Sequence, residues 1–336
     1  VTTVRTLSAH ASYACREAGA CCTSGWPIDI EDDRLGTIER ALASNSARPA
    51  PLVRRGDSGH LLLPVVDGGC VFHKPPGPAR CSLHATFGHA ALPLACRQFP
   101  RVVLLDPRGV SVTLSHHCPT AATLLDTDAA ISVDAAPAGF PQEGEYVGLD
   151  VRNGLPPALR PDMLMDWDAW WHWERRSIEL FSDVAVPAEA LARLAAAIEI
   201  VRHWRPGSGP LIESIDAGFR GCRDAVVHAS AVYSIEQAQQ HLLAAVPEAM
   251  HDDARRALET RRPRVSPHIH RRFLAAHAFG NWTAHLGEGL RTWLRSIETA
   301  HVLIDSGLSL READLLLRHL ADPREMAKQW GEVERT

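Results

Sequence analysis

Apolar positions fall into two regimes along the chain. In the first third they come as short runs, among them Leu61 to Val66, Val102 to Leu105 and Val110 to Leu114. The last two are rich in β-branched residues and flank Asp106-Pro107-Arg108-Gly109, where proline suits a turn position and glycine permits positive φ. They predict a hairpin with Cys96 just before its first strand and Cys118 just after its second. Pro119 suits a first helical position, which would put Cys118 at a helix amino terminus, where the dipole favours thiolate.

Beyond residue 162 the spacing becomes helical. Trp167, Trp170 and Trp171 share one face, either core packing or an aromatic groove for a peptide. Ser234 with Gln237 and Ser309 with Glu312 are capping boxes, and Asp322-Pro323-Arg324-Glu325 joins an acidic cap to a first-turn proline and a reciprocal glutamate. Helix starts are predicted near 235, 310 and 323, with Pro187, Pro247 and Pro267 punctuating the others. From Arg271 to His301 the helical spacing sets His277, Asn281 and His285 on one polar stripe, with Arg291 beyond it; the stripe reads as a site or as a solvated face.

Residues 132–161, with five prolines and four glycines, read as an irregular connector. The predicted organisation is a cysteine-rich metal module over 1–127, a connector over 128–161 and a helical domain over 162–336. The fold class is therefore mainly α with a small α+β cysteine-rich module at the amino-terminal end, followed by an all-helical domain.

A length of 336 residues gives about two domains at ~150 residues each. The formal charge of −5 supplies no basic field to track a phosphate backbone, so nucleic acid is not an expected partner. Lys74 and Lys328 are the only lysines, a bias that fits GC-rich coding better than an arginine-specific function. No apolar stretch reaches the roughly 18 residues of a membrane span, and the first residues carry no apolar signal region, so no membrane partner is expected and the chain reads as cytoplasmic.

Cysteine placement changes this picture. Cys15, Cys21, Cys22, Cys70, Cys81, Cys96 and Cys118 all precede residue 119, and Cys222 alone follows. A disulfide framework needs an oxidising compartment. Buried thiols acting as small hydrophobes would spread along the chain, as Cys222 does. Convergence on zinc or an iron–sulfur cluster accounts for the grouping, although no C-x2-C knuckle names the metal. Seven thiols exceed the four of one closed zinc site, and the adjacent Cys21 and Cys22 suit a polynuclear cluster or one ligand with a supporting thiol. His73, His84, His89, His116 and His117 lie near cysteines in sequence; His116 and His117, beside Cys118, are the strongest imidazole candidates.

Four ordered blocks carry a resemblance. They are Cys21-Cys22-Thr23-Ser24-Gly25-Trp26 followed by Ile28-Asp29-Ile30, the Cys70 and Cys81 pair, Cys96-Arg97-Gln98-Phe99-Pro100-Arg101, and Leu114-Ser115 leading to Cys118-Pro119. Together they resemble the YkgJ-type cysteine-cluster family of zinc- or iron-chelating proteins, and within it the flagellin lysine N-methylase branch. That branch usually has a further cysteine between the positions of Cys15 and Cys21, where Arg16 to Ala20 supply none. The resemblance implies a metal-binding cysteine module, with an iron–sulfur cluster in the methylase branch. Arg97 and Arg101 would offset the charge of the cluster or bind an anionic cosubstrate, S-adenosylmethionine would be the methyl donor of a methylase, and Trp26 would cover the small core of the module.

Other catalytic templates are missing: no Gly-rich nucleotide turn, C-x3-C-x2-C, H-E-x-x-H, G-x-S-x-G or Walker motif occurs. Two functional readings follow. One is a protein-lysine methyltransferase acting on a protein such as flagellin, with Asp29 or Glu31 helping the lysine lose its proton. The other is a non-catalytic zinc or iron module with partner-binding helices, or a thiol redox sensor using Cys21 and Cys22.

Overall fold

The computed structural model describes residues 3–24, 27–44, 50–54, 59, 61–74, 81–137, 140, 146–224, 233–331 and 334. The chain is mainly helical with a small mixed sheet. The sheet is built from β1 (Thr3–Leu7), β2 (Arg101–Asp106), β3 (Gly109–Leu114), β4 (Val133–Ala135) and β5 (Leu149–Asp150), in the order β4-β1-β3-β2-β5. The expected hairpin is β2–β3, antiparallel with Asp106 opposite Gly109 and Arg101 opposite Leu114. Its residues are buried on both faces, which is why they read as continuous apolar runs rather than as an alternation.

Two features of this sheet were not expected. β1 pairs parallel to β3, with Thr6 opposite Val112. The segment read as an irregular connector supplies both edge strands, β4 antiparallel to β1 and β5 parallel to β2. Gly148 is what lets β5 approach, because a Cβ there would collide with the carbonyl of Val103.

The cysteine-rich part holds α1 (Asp32–Ser44), α2 (Ser82–Phe87), α3 (Leu94–Gln98) and α4 (Pro119–Thr123), with short ribbons pairing 53–54 with 61–62 and 65–66 with 69–70. Ile28, Ile30, Ile38, Leu63, Val71, Phe72, Leu83 and Leu92 form a core of their own, with Cys70, Cys81 and Cys96 packed against it. Backbone bonds stitch the segments together: Ile30 donates to Leu61, Leu63 to Ile28 and Val71 to Pro64.

Apart from a short antiparallel ribbon of Ala158–Arg160 with Met163–Leu164, the rest is helical: α5 (Trp167–Asp183), α6 (Pro187–Arg202), α7 (Leu211–Gly221), α8 (Ile235–Ala245), α9 (His251–Glu259), α10 (Pro267–Ala278), α11 (Thr283–Leu286), α12 (Leu290–Asp305), α13 (Leu310–Leu315) and α14 (Pro323–Gly331). α8 starts after a complete capping box at Ser234 and Gln237, α13 starts after Ser309, and α14 starts at Pro323, as the sequence predicts. In α5 the fully buried tryptophans are Trp170 and Trp173, while Trp167 and Trp171 are half-buried. Trp170 and Trp173 both pack edge-on against Trp293, so this face of the helix serves the core. Among the described residues no helix is long and apolar enough to cross a membrane.

The two parts are bolted together through the sheet. Arg108, in the hairpin turn, donates to Asp106 and, at 2.7 Å, to Glu174 on α5. Trp282 donates its indole N–H to the Val103 carbonyl, and Gly280 donates its backbone N–H to Glu174. Gly280, at φ +60, also ends the stretch that reads as one helical face from Arg271, so α10, α11 and α12 are separate.

Candidate metal centre

Six short segments converge on one cavity of about 170 Å³, and Cys15, Cys21, Cys22, Cys70, Cys81, Cys96 and Cys118 all line it. Cys21 and Cys22 lie in a single 3-10 turn, Ala20–Cys22, entered through Gly19 at φ 77. Cys70 closes the 65–70 ribbon opposite Val65, and Cys81 bridges to His73 just before α2. Cys96 rides on α3, and Cys118 sits immediately before Pro119 and α4. The Glu31 carboxylate accepts the Leu94 backbone N–H at 2.9 Å, tying α3 to the segment that follows the vicinal pair.

All eight cysteines are free thiols. Cys222 is buried in the helical core, its thiol on the Phe219 carbonyl, away from this cavity. At the centre of the cavity is Cys22. Its Sγ lies 3.9 Å from that of Cys21, and its thiol is pushed far above the usual range because Cys21, Cys70 and Cys81 all compete for its proton. The same sharing lowers the thiols of Cys21 and Cys70 and brings Cys81 down to about 6, with help from the backbone N–H groups of His84 and Leu83. Cys96 is driven the other way by burial and by the charge of Cys21, Cys70 and Cys81. So many sulfurs at close quarters cannot all ionise against one another without a cation.

That donor set has the chemistry of a thiolate-bound metal. It is gathered rather than closed: among the described residues no three His, Cys, Asp or Glu side chains form a ready cage for an ion.

Imidazoles are placed otherwise than the sequence suggests. His84 and His89 line the cavity. His116 instead contacts His10 and Asp314, and His117 contacts the Arg311 carbonyl, both toward the helical half. The hairpin ends at Leu114, and in the turn that follows His116 and His117 both meet α13 while Cys118 lines the cysteine cavity, so neither imidazole follows its neighbour Cys118 into it.

Arg97 and Arg101 both line the cavity, and neither meets an acidic partner among the described residues. Arg101 stacks on Tyr13 at 5.6 Å and Phe140 at 5.5 Å. Tyr13 itself escaped the sequence reading; its hydroxyl pairs with Cys118, and burial together with that thiol keeps it protonated. The only signal for it was its position two residues before Cys15. Glu31 is committed to Leu94, and Asp29 bridges to Leu62. Trp26 lies outside the described residues.

No protein-family model, curated protein or solved structure matches this chain.

Proposed function

We propose that the chain is a thiolate metal-cluster protein and that its reaction is methyl transfer to the ε-amine of a protein lysine, as the resemblance to the flagellin lysine N-methylase branch implies. The observation that carries the metal reading is the convergence of all seven amino-terminal cysteines on one cavity. Cys21, Cys22, Cys70 and Cys81 are the inner ligand set, with Cys15, Cys96 and Cys118 around it. Seven thiols suit an iron–sulfur cluster better than a single zinc, which closes with four. Bound there, a cluster supplies a redox-active and Lewis-acidic centre. A cytoplasmic setting, which keeps thiols reduced, matches eight free cysteines.

The chain's own part is to hold the reactants. Arg97 and Arg101, with no acidic partner among the described residues, can pair with the carboxylate of S-adenosylmethionine. The lysine nitrogen must first lose a proton, since its ordinary pKa is about 10.4. Its lone pair then forms the N–CH3 bond as the C–S bond of the sulfonium breaks and a neutral thioether leaves.

Anaerobic purification with iron, zinc and sulfide analysis tests the metal, and transfer of labelled methyl from S-adenosylmethionine to flagellin or lysate protein tests the reaction. Iron with sulfide and a labelled protein band support the proposal. Colourless zinc without transfer supports a metal-held partner-binding module instead, and a metal-free protein under reducing conditions overturns both.

A further inference from the structure

A second cavity, of about 310 Å³, lies on the other side of Phe99 and Arg101, which line both. Its walls include Phe99, Trp282, Met326 and Trp330, and His277, Asn281 and His319 supply polar groups. Among the described residues no Asp or Glu lines it, whereas Arg101 and Arg318 do. Two members of the polar stripe thus have a destination, whereas His285 packs on Trp167 and Trp170 elsewhere.

Behind this cavity is the fully buried Asp314. Its Oδ2 accepts the Ser115 hydroxyl at 2.5 Å, and its Oδ1 accepts Arg318 Nε at 3.0 Å. His277 Nε2 lies 3.4 Å from Oδ1, and Ser115 Oγ also lies 2.7 Å from His319 Nε2. Both histidines on the cavity wall are therefore backed by one carboxylate, directly or through one hydroxyl. With its proton on Nε2 toward Asp314, His277 keeps a lone pair on Nδ1, which makes no hydrogen bond among the described residues. Arg318 and His319 ride on a π-helical turn, Leu316–Leu320, a distortion that recurs at functional sites.

We propose that this cavity is the amine site, that it takes the uncharged form of an alkylamine such as a lysine side chain, and that His277 accepts a hydrogen bond from it through Nδ1. The proposal rests on the methyl-transfer reading above. An aromatic wall that carries Arg101 and Arg318, and no carboxylate among the described residues, removes water from an ammonium and repels its charge, so the neutral amine is favoured. As the amine enters, the N–H bond of its ammonium breaks, the electron pair stays on nitrogen and the proton passes to solvent water; an N–H of the neutral amine then donates to His277 Nδ1. Nε2–H directed at Asp314 keeps the neutral imidazole in the tautomer whose Nδ1 accepts. Burial first, then Arg318 from the α13 side and His116 from the end of β3, keep His277 uncharged down to about 3 against the opposing pull of Asp314.

The test is binding of n-butylamine to the full chain without methyl donor, followed by the nitrogen resonances of labelled histidine between about pH 7 and about pH 9.5, on the rising limb of the neutral amine. Affinity rises with pH and the His277 resonance moves. His277→Ala weakens binding by about five- to tenfold, the loss of one hydrogen bond. Val147→Trp, at an exposed position on the cavity mouth, abolishes binding without touching the core. His203→Gln, on the exposed surface, changes neither. Affinity that is flat or falls with pH, or that survives both cavity variants, overturns the amine site even if methyl transfer is real. Binding as described with no methyl transfer to any protein overturns the reaction and leaves the amine site standing.

Discussion

The Ser115 hydroxyl donates to Asp314 across 199 residues of sequence, at 2.5 Å. This bond joins the turn after β3, which leads to Cys118, to helix α13. His116, His277 and Arg318 crowd the same carboxylate. Burial alone would raise its pKa, but the bonds from His116 and His277 and the charge of Arg318 outweigh it and hold the group ionised well below the usual range. Asp314→Ala strands a nearly buried guanidinium, so the loss should approach the roughly 3 to 5 kcal/mol of a broken buried pair. Urea unfolding checks this: a variant within about 1 kcal/mol of wild type would show that the network is slack.

Acid should destabilise the fold well above the carboxylate range. His270, His277 and His319 are each lowered to about 3 and His285 to about 4, chiefly by burial. The unfolded chain protonates these imidazoles near 6.5 while the native state refuses them. Their contribution is complete above about 6.5 and lost as pH falls, by up to about 1.4 kcal/mol per pH unit for each histidine. Melting temperatures from pH 7.5 to 5 should fall steadily; a flat profile would mean that the histidines are accessible in the native state.

Much of this was legible beforehand because it is local. The hairpin follows from two apolar runs and a Pro-Arg-Gly turn, and the helix starts from Ser234, Ser309 and Pro323. Parallel pairing of β1 with β3 was not, since it joins residues about a hundred apart and leaves no periodic trace. The grouping of the cysteines was visible as a count, yet their order around Cys22 depends on ribbons of two residues each. Ser115 stood out only as part of the block leading to Cys118 and Asp314 not at all, for their bond joins positions 199 residues apart.

Metal content separates ligands from bystanders. Cys96 lines the cavity and Cys222 is packed in the helical core. Cys96→Ser should lower bound metal, and Cys222→Ser should leave it unchanged. A chelator should unfold the cysteine-rich part first, because a structural metal contributes on the order of 10 kcal/mol to its site. Equal metal loss from both substitutions would remove the distinction.

Glu31 offers a finer probe. Its carboxylate accepts the first N–H of α3 and so fixes the helix carrying Cys96. Glu31→Gln keeps an acceptor and should hold metal; Glu31→Ala should cost about 1 kcal/mol and speed metal loss to a chelator. Identical off-rates in the two variants would show that Leu94 finds another acceptor.

Arg97 and Arg101 differ in a way that can be measured. Arg101 stacks on Tyr13 and Phe140, so Arg101→Ala removes both a cation and its packing, worth about 0.5 to 1 kcal/mol. Arg97 makes no comparable stack, and Arg97→Ala should leave stability unchanged. If both serve the carboxylate of the methyl donor, each substitution should raise the Kd for S-adenosylmethionine about tenfold, the loss of one charge-assisted contact, with metal content intact. Isothermal titration on the metal-loaded chain reads this directly. Unchanged donor affinity in the double variant would return both arginines to offsetting the thiolates, with metal retention then the property that suffers.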